Sequence, residues 1–210
     1  MKKKIKLKNL PTGSIVGTSS LRRAIQVIRK RHDLNVRPIR GNVETRVKKS
    51  ITGEYDAVIL AEAGLTRLGM RDVIVERLTI KDFLPSPGQG AIAIICRKDN
   101  KKLIRVLRSI EDQQSRAEID AERSLLEKIE GGCRFPVGAY AVTSDDKYKI
   151  TLYANVFSAD GINSIKIRKI GDSKEPSKLG IEVANLLFKE GATKLAEGWR
   201  DAVKEWNQRL

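Results

Sequence analysis

Histidine is nearly absent from this chain. Of 210 residues only His32, in the charged run RKRHDL, carries an imidazole, and that setting reads as solvated. A cysteine–histidine catalytic pair is therefore excluded as a working design. Cysteine is almost as scarce: Cys96 and Cys133 lie far apart on unlike segments. That spacing speaks against a disulfide framework and for reduced thiols in a cytosolic protein. Aromatic residues make up 5% of the chain, and residues 1–82 contain only Tyr55, so the stacking platforms on which single-stranded nucleic acid binding leans are missing. There is no zinc-finger spacing, no RNA-recognition signature and no metal-ligating pattern. Neither a P-loop nor a full GxGxxG is present, which disfavours a nucleotide site. No apolar run approaches the ~20 residues needed to span a bilayer. The basic start MKKKIKLKN leads into no apolar signal region. The expectation is a cytoplasmic protein that uses neither nucleic acid nor membrane.

What the chain has in excess is positive charge. Its net charge is +15, and residues 1–82 hold 19 Lys and Arg against 8 Asp and Glu, whereas residues 83–210 hold 22 against 18. The first segment therefore calls for an anionic partner. Its pattern is strand, turn, helix, three times over. In GSIVGTSSLRRAIQVIRKR, Ile15 and Val16 form the strand, Ser19 or Ser20 caps, and Ala24, Val27 and Ile28 give the helical spacing. LNVRPIR leads into GNVETRVKKSI, and YDAVILAEAGL leads into GLTRLGM. Alternation of this kind predicts an α/β domain with a largely parallel sheet. FLPSPGQG breaks the scheme and predicts a hinge. The apolar AIAIICRKD then predicts a strand with Cys96 in a core. After the helical runs KKLIRVLRSI and DQQSRAEIDAERSLLEKIE, the second ended by glycines 131 and 132, come three strand candidates. They are VGAYAVTS, KITLYANVFS and INSIKIRKI, and helices follow from Pro176 and Thr193. The expected architecture is an α/β domain over residues 1–84, a hinge with a remnant strand over 85–100, and a small α+β domain with a three-stranded sheet and helices over 101–210.

Ligands of open α/β sheets bind beyond the carboxyl ends of the strands. In GTSSLRR, hydroxyls and amides at a helix start form an anion corner, and Arg22 and Arg23 add cationic forks that suit carboxylates. Arg40 and Arg46 follow the second strand, and Arg67 follows the third. Their recurrence predicts a polyanion site. The stretch EGGCRFPVG holds Cys133 on a loop, uncrowded after two glycines and beside Arg134, which favours the thiolate. It reads either as a partly buried free thiol or as a nucleophile or covalent tether, and a tether needs no histidine.

GSIVGTSSLRRAIQ, RPIRGNVETRV, GEYDAVILAEAGLTRLG, LPSPGQGAIAI and EGGCRFPVGAY resemble, in order and spacing, the motifs of the porphobilinogen deaminase (hydroxymethylbilane synthase) family. The resemblance spans essentially the whole chain. It implies a transferase of tetrapyrrole and haem biosynthesis that condenses four porphobilinogen units into hydroxymethylbilane with loss of ammonia. It also implies a dipyrromethane cofactor attached through a thioether to Cys133. Thr18, Ser19, Ser20, Arg22, Arg23, Arg40, Arg46 and Arg67 would then hold pyrrole acetates and propionates, and Ala63, Gly64 and Gln89 would border the rings. The sheet would be of the periplasmic-binding-protein-like kind.

One departure is large. The family's chain begins with a further stretch, on the order of a hundred residues, that carries the catalytic aspartate in an HSxKD-type motif. No residue here matches it, so no catalytic residue is assigned. Pro87–Asp99 resembles a returning strand of that first domain. The expectation is that the chain needs an N-terminal polypeptide for activity, whether it is a fragment, one product of a split gene or a reading frame begun too late. Should another carboxylate take over that role, Asp56 or Glu62 on the third strand is the first candidate. The rival reading is a non-catalytic small-anion-binding module of the same fold.

Overall fold

A computed structural model describes residues 5–80, 82–129 and 136–209. They group into two units. One comprises the residues up to Phe83, Phe157–Ser164 and the stretch from Leu195 onward; the other comprises Leu84–Val156 and Ile165–Lys194.

In the first unit, β1 (Ile15–Gly17), β2 (Asn35–Arg37) and β3 (Ala57–Val58) form a sheet in the order β2-β1-β3. All pairings are parallel, with Val16 opposite Val36 on one side and Ala57 on the other. Parallel neighbours require crossovers, supplied by α1 (Leu21–Lys30) and α2 (Val43–Thr52); α3 (Glu62–Arg67) follows β3. The third strand is shorter than YDAVILAEAGL suggests: two residues pair, both half-buried, at the sheet's edge. Helix α1 begins at Ser20, whose hydroxyl accepts the Arg23 amide. Two apolar groups then hold it. Val27 joins Leu10, Val16 and Leu34 under the sheet. Ile25 meets Phe157 and Trp199, the latter opening α8 (Trp199–Gln208).

The second unit contains α4 (Lys101–Ser109), α5 (Gln113–Ile129), α6 (Pro176–Lys189) and most of a sheet in the order β4-β5-β6. β4 (Val137–Thr143) runs antiparallel to β5 (Lys149–Phe157), from Val137 opposite Val156 to Thr143 opposite Ile150. β6 is Ser164–Asp172, and a short α7 (Ala192–Leu195) follows α6. Helices α5 and α6 pack closely because residue 180 is glycine. A Cβ there would lie 2.4 Å from the Ala121 carbonyl oxygen and 2.7 Å from the Leu125 nitrogen, and backbone cannot yield as a side chain can.

β4 is an edge strand, and its outer amides would otherwise lack partners. They are taken in alternation. Ala139 donates to the Pro85 carbonyl at 3.0 Å, Ala141 to Glu122 Oε1 at 2.8 Å and Thr143 to Glu118 Oε1 at 2.9 Å. The second oxygen of Glu122 accepts the Gly88 amide at 2.7 Å. One buried carboxylate thus ties the loop at Gly88 and the sheet edge to α5.

The segment after the hinge departs from expectation. Ala91–Cys96 is not a strand: it is irregular, and Ile92, Ile94 and Ile95 are 85%, 60% and 94% exposed. Cys96 is a half-buried free thiol rather than a core residue. An apolar run becomes a strand only where neighbours complete its ladder, and among the described residues none does. The glycine pair 131–132, expected to end α5, lies outside the described residues.

Burial raises the pKa of Glu122, against the lowering by its two amide donors. Its folded pKa lies above the unfolded value of about 4.3, so its contribution to stability is full below that value and is lost as pH rises through the folded pKa. Urea unfolding from pH 4 to 8 should therefore show a fall with pH that Glu122→Gln flattens. Glu122→Ala, which strands two amides, should cost about 2 kcal/mol or more.

Candidate anion-binding site

The site is built where β1 gives way to α1. Gly17 closes the strand: a Cβ there would come within 2.8 Å of the Tyr55 ring. The buried Tyr55 instead lies against the strand and donates its hydroxyl to the Pro38 carbonyl at 2.8 Å. Thr18 is fully buried. Its amide extends the pairing with β2 through the Arg37 carbonyl at 3.1 Å, and its hydroxyl accepts the Ser20 amide at 3.2 Å. Thr18 and Ser20 are therefore spent on shaping the turn and capping the helix.

Ser19 has a different neighbour. Its hydroxyl accepts Arg46 Nη1 at 2.9 Å, and Arg46 Nε donates to the Gly41 carbonyl at 2.7 Å. Gly41 takes a φ of 115°, which favours glycine. Asn42 then caps α2 by accepting the Thr45 amide at 2.8 Å, and α2 places Arg46 beside the β1 turn.

The electrostatics follow from this gathering. Arg22, half-buried, has its pKa lowered to about 10, first by desolvation and then by the charge of Arg23. Arg23 is lowered by desolvation and then by the charge of Arg46. A depressed pKa on a guanidinium means that burial and neighbouring positive charge disfavour its charged form. Elsewhere on the chain arginines have carboxylates: Arg31 has Asp33, Arg77 has Glu62, Arg116 has Glu111. Neither Arg23 nor Arg46 pairs with a carboxylate among the described residues. The cluster concentrates positive charge beside the Ser19 hydroxyl, and a planar carboxylate is the shape that matches a guanidinium fork.

The remaining residues singled out in the sequence are placed as follows. Arg40 is exposed beyond β2, and Arg67 is exposed at the C-terminal end of α3; no hydrogen bond ties either to the Ser19–Arg46 group. Ala63 is exposed and Gly64 half-buried in α3, with Val43 close to Gly64. Gln89 is exposed in the second unit, next to the Gly88 held by Glu122. Cys133 lies outside the described residues. The two carboxylates named as substitutes have structural partners: Asp56 accepts the Ile15 amide at 2.9 Å, and Glu62 pairs with Arg77 at 2.7 Å. His32 is exposed. Sequence reasoning did not foresee the Ser19–Arg46 bond or the carboxylates of Glu118 and Glu122 on the β4 edge. A serine dipeptide does not say which serine caps, and an acidic residue in a helix reads as solvated.

Residues 1–105 match the family model described as "Porphobilinogen deaminase, dipyromethane cofactor binding domain", and residues 116–189 match "Porphobilinogen deaminase, C-terminal domain". The chain belongs to the porphobilinogen deaminase family. Among its relatives, the "Probable porphobilinogen deaminase" of Nitrosopumilus maritimus is 50% identical over 202 residues, which are 96% of this chain and 64% of the relative. The porphobilinogen deaminase of Brevibacillus brevis is 42% identical over 89% of this chain and 59% of its own length. That of Desulforamulus reducens is 40% identical over 91% of this chain and 62% of its own length. The chain thus spans about three-fifths of the relatives it matches. The arginine cluster falls inside the stretch matched by the cofactor-binding model.

Because the folded pKa of Arg22 lies below its unfolded one, the charged cluster opposes folding up to about pH 10, and this opposition fades as pH rises through that value. Without ligand, Arg23→Met should therefore leave the thermal midpoint unchanged or raised. A polycarboxylate should raise the midpoint of the parent chain and not that of Arg23→Met. A lowered midpoint in the unliganded variant would mark Arg23 as structural.

Proposed function

We propose that the chain is the cofactor-carrying portion of a hydroxymethylbilane synthase, condensing porphobilinogen units into hydroxymethylbilane with release of ammonia. The observation that carries the reading is the pair Arg23 and Arg46: two guanidinium groups of one cluster, lacking carboxylates, in the stretch matched by the cofactor-binding family model. A dipyrromethane bears acetates and propionates, and it fits this cluster in charge and in number of forks. In this reading Ser19, Arg22, Arg23 and Arg46 hold its carboxylates, Thr18 and Ser20 shape the turn, and Arg40 and Arg67 reach later pyrroles. Ala63, Gly64 and Gln89 border the rings, and Cys133 holds the cofactor through a thioether. When bound, the dipyrromethane supplies the growing end to which each unit is joined. The arginines neutralise and orient the chain of carboxylates as it lengthens.

Each condensation also requires a proton for the departing amine and a carboxylate beside the cationic pyrrole. Asp56 and Glu62 are engaged with a strand amide and with Arg77, which supports assigning that work to an N-terminal polypeptide. The proposed setting is a cytoplasmic pathway to tetrapyrroles, with a periplasmic-binding-protein-like sheet over residues 1–84, a hinge over 85–100 and a cofactor-bearing domain over 101–210. The same engaged carboxylates favour, as a second reading, a binding module for small anions without catalysis of its own.

The deciding experiment measures ammonia release from porphobilinogen. The 210-residue chain alone should release none. Adding the N-terminal portion should restore release, and Cys133→Ser should abolish both release and the thioether adduct seen by mass spectrometry. Arg23→Ala should weaken binding of a pyrrole polycarboxylate by about 1.5–3 kcal/mol. Turnover by the chain alone would move the acid–base role to Asp56 or Glu62, and unchanged affinity in the arginine variants would remove the cluster from the site.

A further inference from the structure

Residues 84–90 form a loop with a held stem and an open tip. Pro85 and Pro87 offer no amide, so the stem bonds through what remains. The Pro85 carbonyl accepts the Ala139 amide at 3.0 Å, and the Gly88 amide donates to Glu122 Oε2 at 2.7 Å. Leu84 and Pro85 also lie close against β4. A Cβ on Gly138 would come within 2.8 Å of the Leu84 Cβ and 3.2 Å of the Pro85 carbonyl oxygen. Residues 84–88 are buried or half-buried, whereas Gln89 and Gly90 are exposed. Gly88 turns the chain with a φ of 76°. The next side chain is the Gln89 carboxamide, which has no hydrogen-bond partner among the described residues.

Glu122 does more than seal a sheet edge. Glu118 also closes an amide of β4, and it does so half-buried and through Oε1 alone. Glu122 is 4% exposed, and burying a carboxylate is costly. What its second oxygen adds is the bond to Gly88, a residue outside the sheet. With both oxygens engaged and the side chain covered, Glu122 does not touch a ligand; it acts through the backbone that it holds. We infer that Glu122 is a positioning residue, fixing through Gly88 the loop from which Gln89 presents its carboxamide to a pyrrole carboxylate ligand. This rests on the proposed function, which sets Gln89 beside the rings. A carboxamide both donates and accepts, so it suits a ring N–H as well as a carboxylate, and the backbone beneath it sets where it points. Glutamine at position 122 would not substitute: it has one oxygen for two amides and turns an N–H toward the other.

The test supplies the 210-residue chain with the N-terminal third of the Nitrosopumilus relative and reads ammonia release from porphobilinogen. Glu122→Gln and Gln89→Ala should each lower kcat/KM by about tenfold or more, since a misplacement of about 1 Å can cost about a hundredfold. The double variant should fall no further than the lower single, because residues that act through one another are not additive. Glu118→Ala, which opens the β4 edge at Thr143 and leaves the loop held, should keep the parent activity. In the chain alone, hydrogen exchange at Gly88 should quicken by more than about tenfold in Glu122→Gln, with far-ultraviolet circular dichroism unchanged. If Glu122→Gln does not fold, Glu122→Asp, which keeps two oxygens and shortens their reach, takes its place in the cycle. Parent activity in the position-122 variant, additive losses in the double variant, or an equal loss in Glu118→Ala overturns the inference and leaves the proposed function standing. If the paired polypeptides release no ammonia, the proposed function falls, and calorimetry of the chain with a dipyrromethane polycarboxylate takes over the same comparisons. Non-additive losses of affinity in Glu122→Gln and Gln89→Ala then sustain the inference, and an absence of binding by the parent chain overturns both.

Discussion

Repulsion between guanidinium groups that the fold holds together is the constraint on which the site depends. Arg23 feels desolvation and the charge of Arg46, and Arg22 feels desolvation and the charge of Arg23. Burial and like charge both disfavour the charged forms of these groups. The surrounding framework bears that cost. Thr18 is locked into the β1–β2 pairing, Ser20 caps α1, and Ile25 and Val27 fasten that helix to two apolar clusters. Arg46 is in turn held by the Ser19 hydroxyl and the Gly41 carbonyl, so α2 keeps its guanidinium beside the start of α1.

The second unit solves a different problem with charges of the opposite sign. An edge strand with open amides invites pairing with another chain. On β4 those amides are closed by the Pro85 carbonyl and by Glu118 and Glu122 of α5. That leaves little edge for an incoming strand there. The contrast with residues 91–97 is instructive, since they have the apolar character of a strand and no ladder. One strand is sealed at its edge, whereas the other segment is bare on both faces.

The basic excess is concentrated in the first segment, within the stretch matched by the cofactor-binding family model, and arginine forks are an efficient way to balance carboxylates. The relatives' additional length lies beyond this chain, and Asp56 and Glu62 already have structural partners.

Much was legible in residues alone. The strand–turn–helix repeats of the first segment, the three strands after residue 136, and the helix from Pro176 follow local periodicity, capping and turn chemistry, which act over a few residues. The recurrence of arginine after successive strands raised the expectation of an anion site, because parallel sheets bring those ends to one rim; of those arginines, Arg46 is the one bonded to Ser19 at the β1–α1 turn. Tertiary structure decided the rest. It assigned Ser20 to the cap and Ser19 to Arg46, a choice resting on α2's approach. It put Glu122 in a buried edge contact, which no periodicity announces. It also left AIAIIC irregular and exposed, because a strand is not a property of its own residues: its backbone becomes a strand only when another backbone lies beside it.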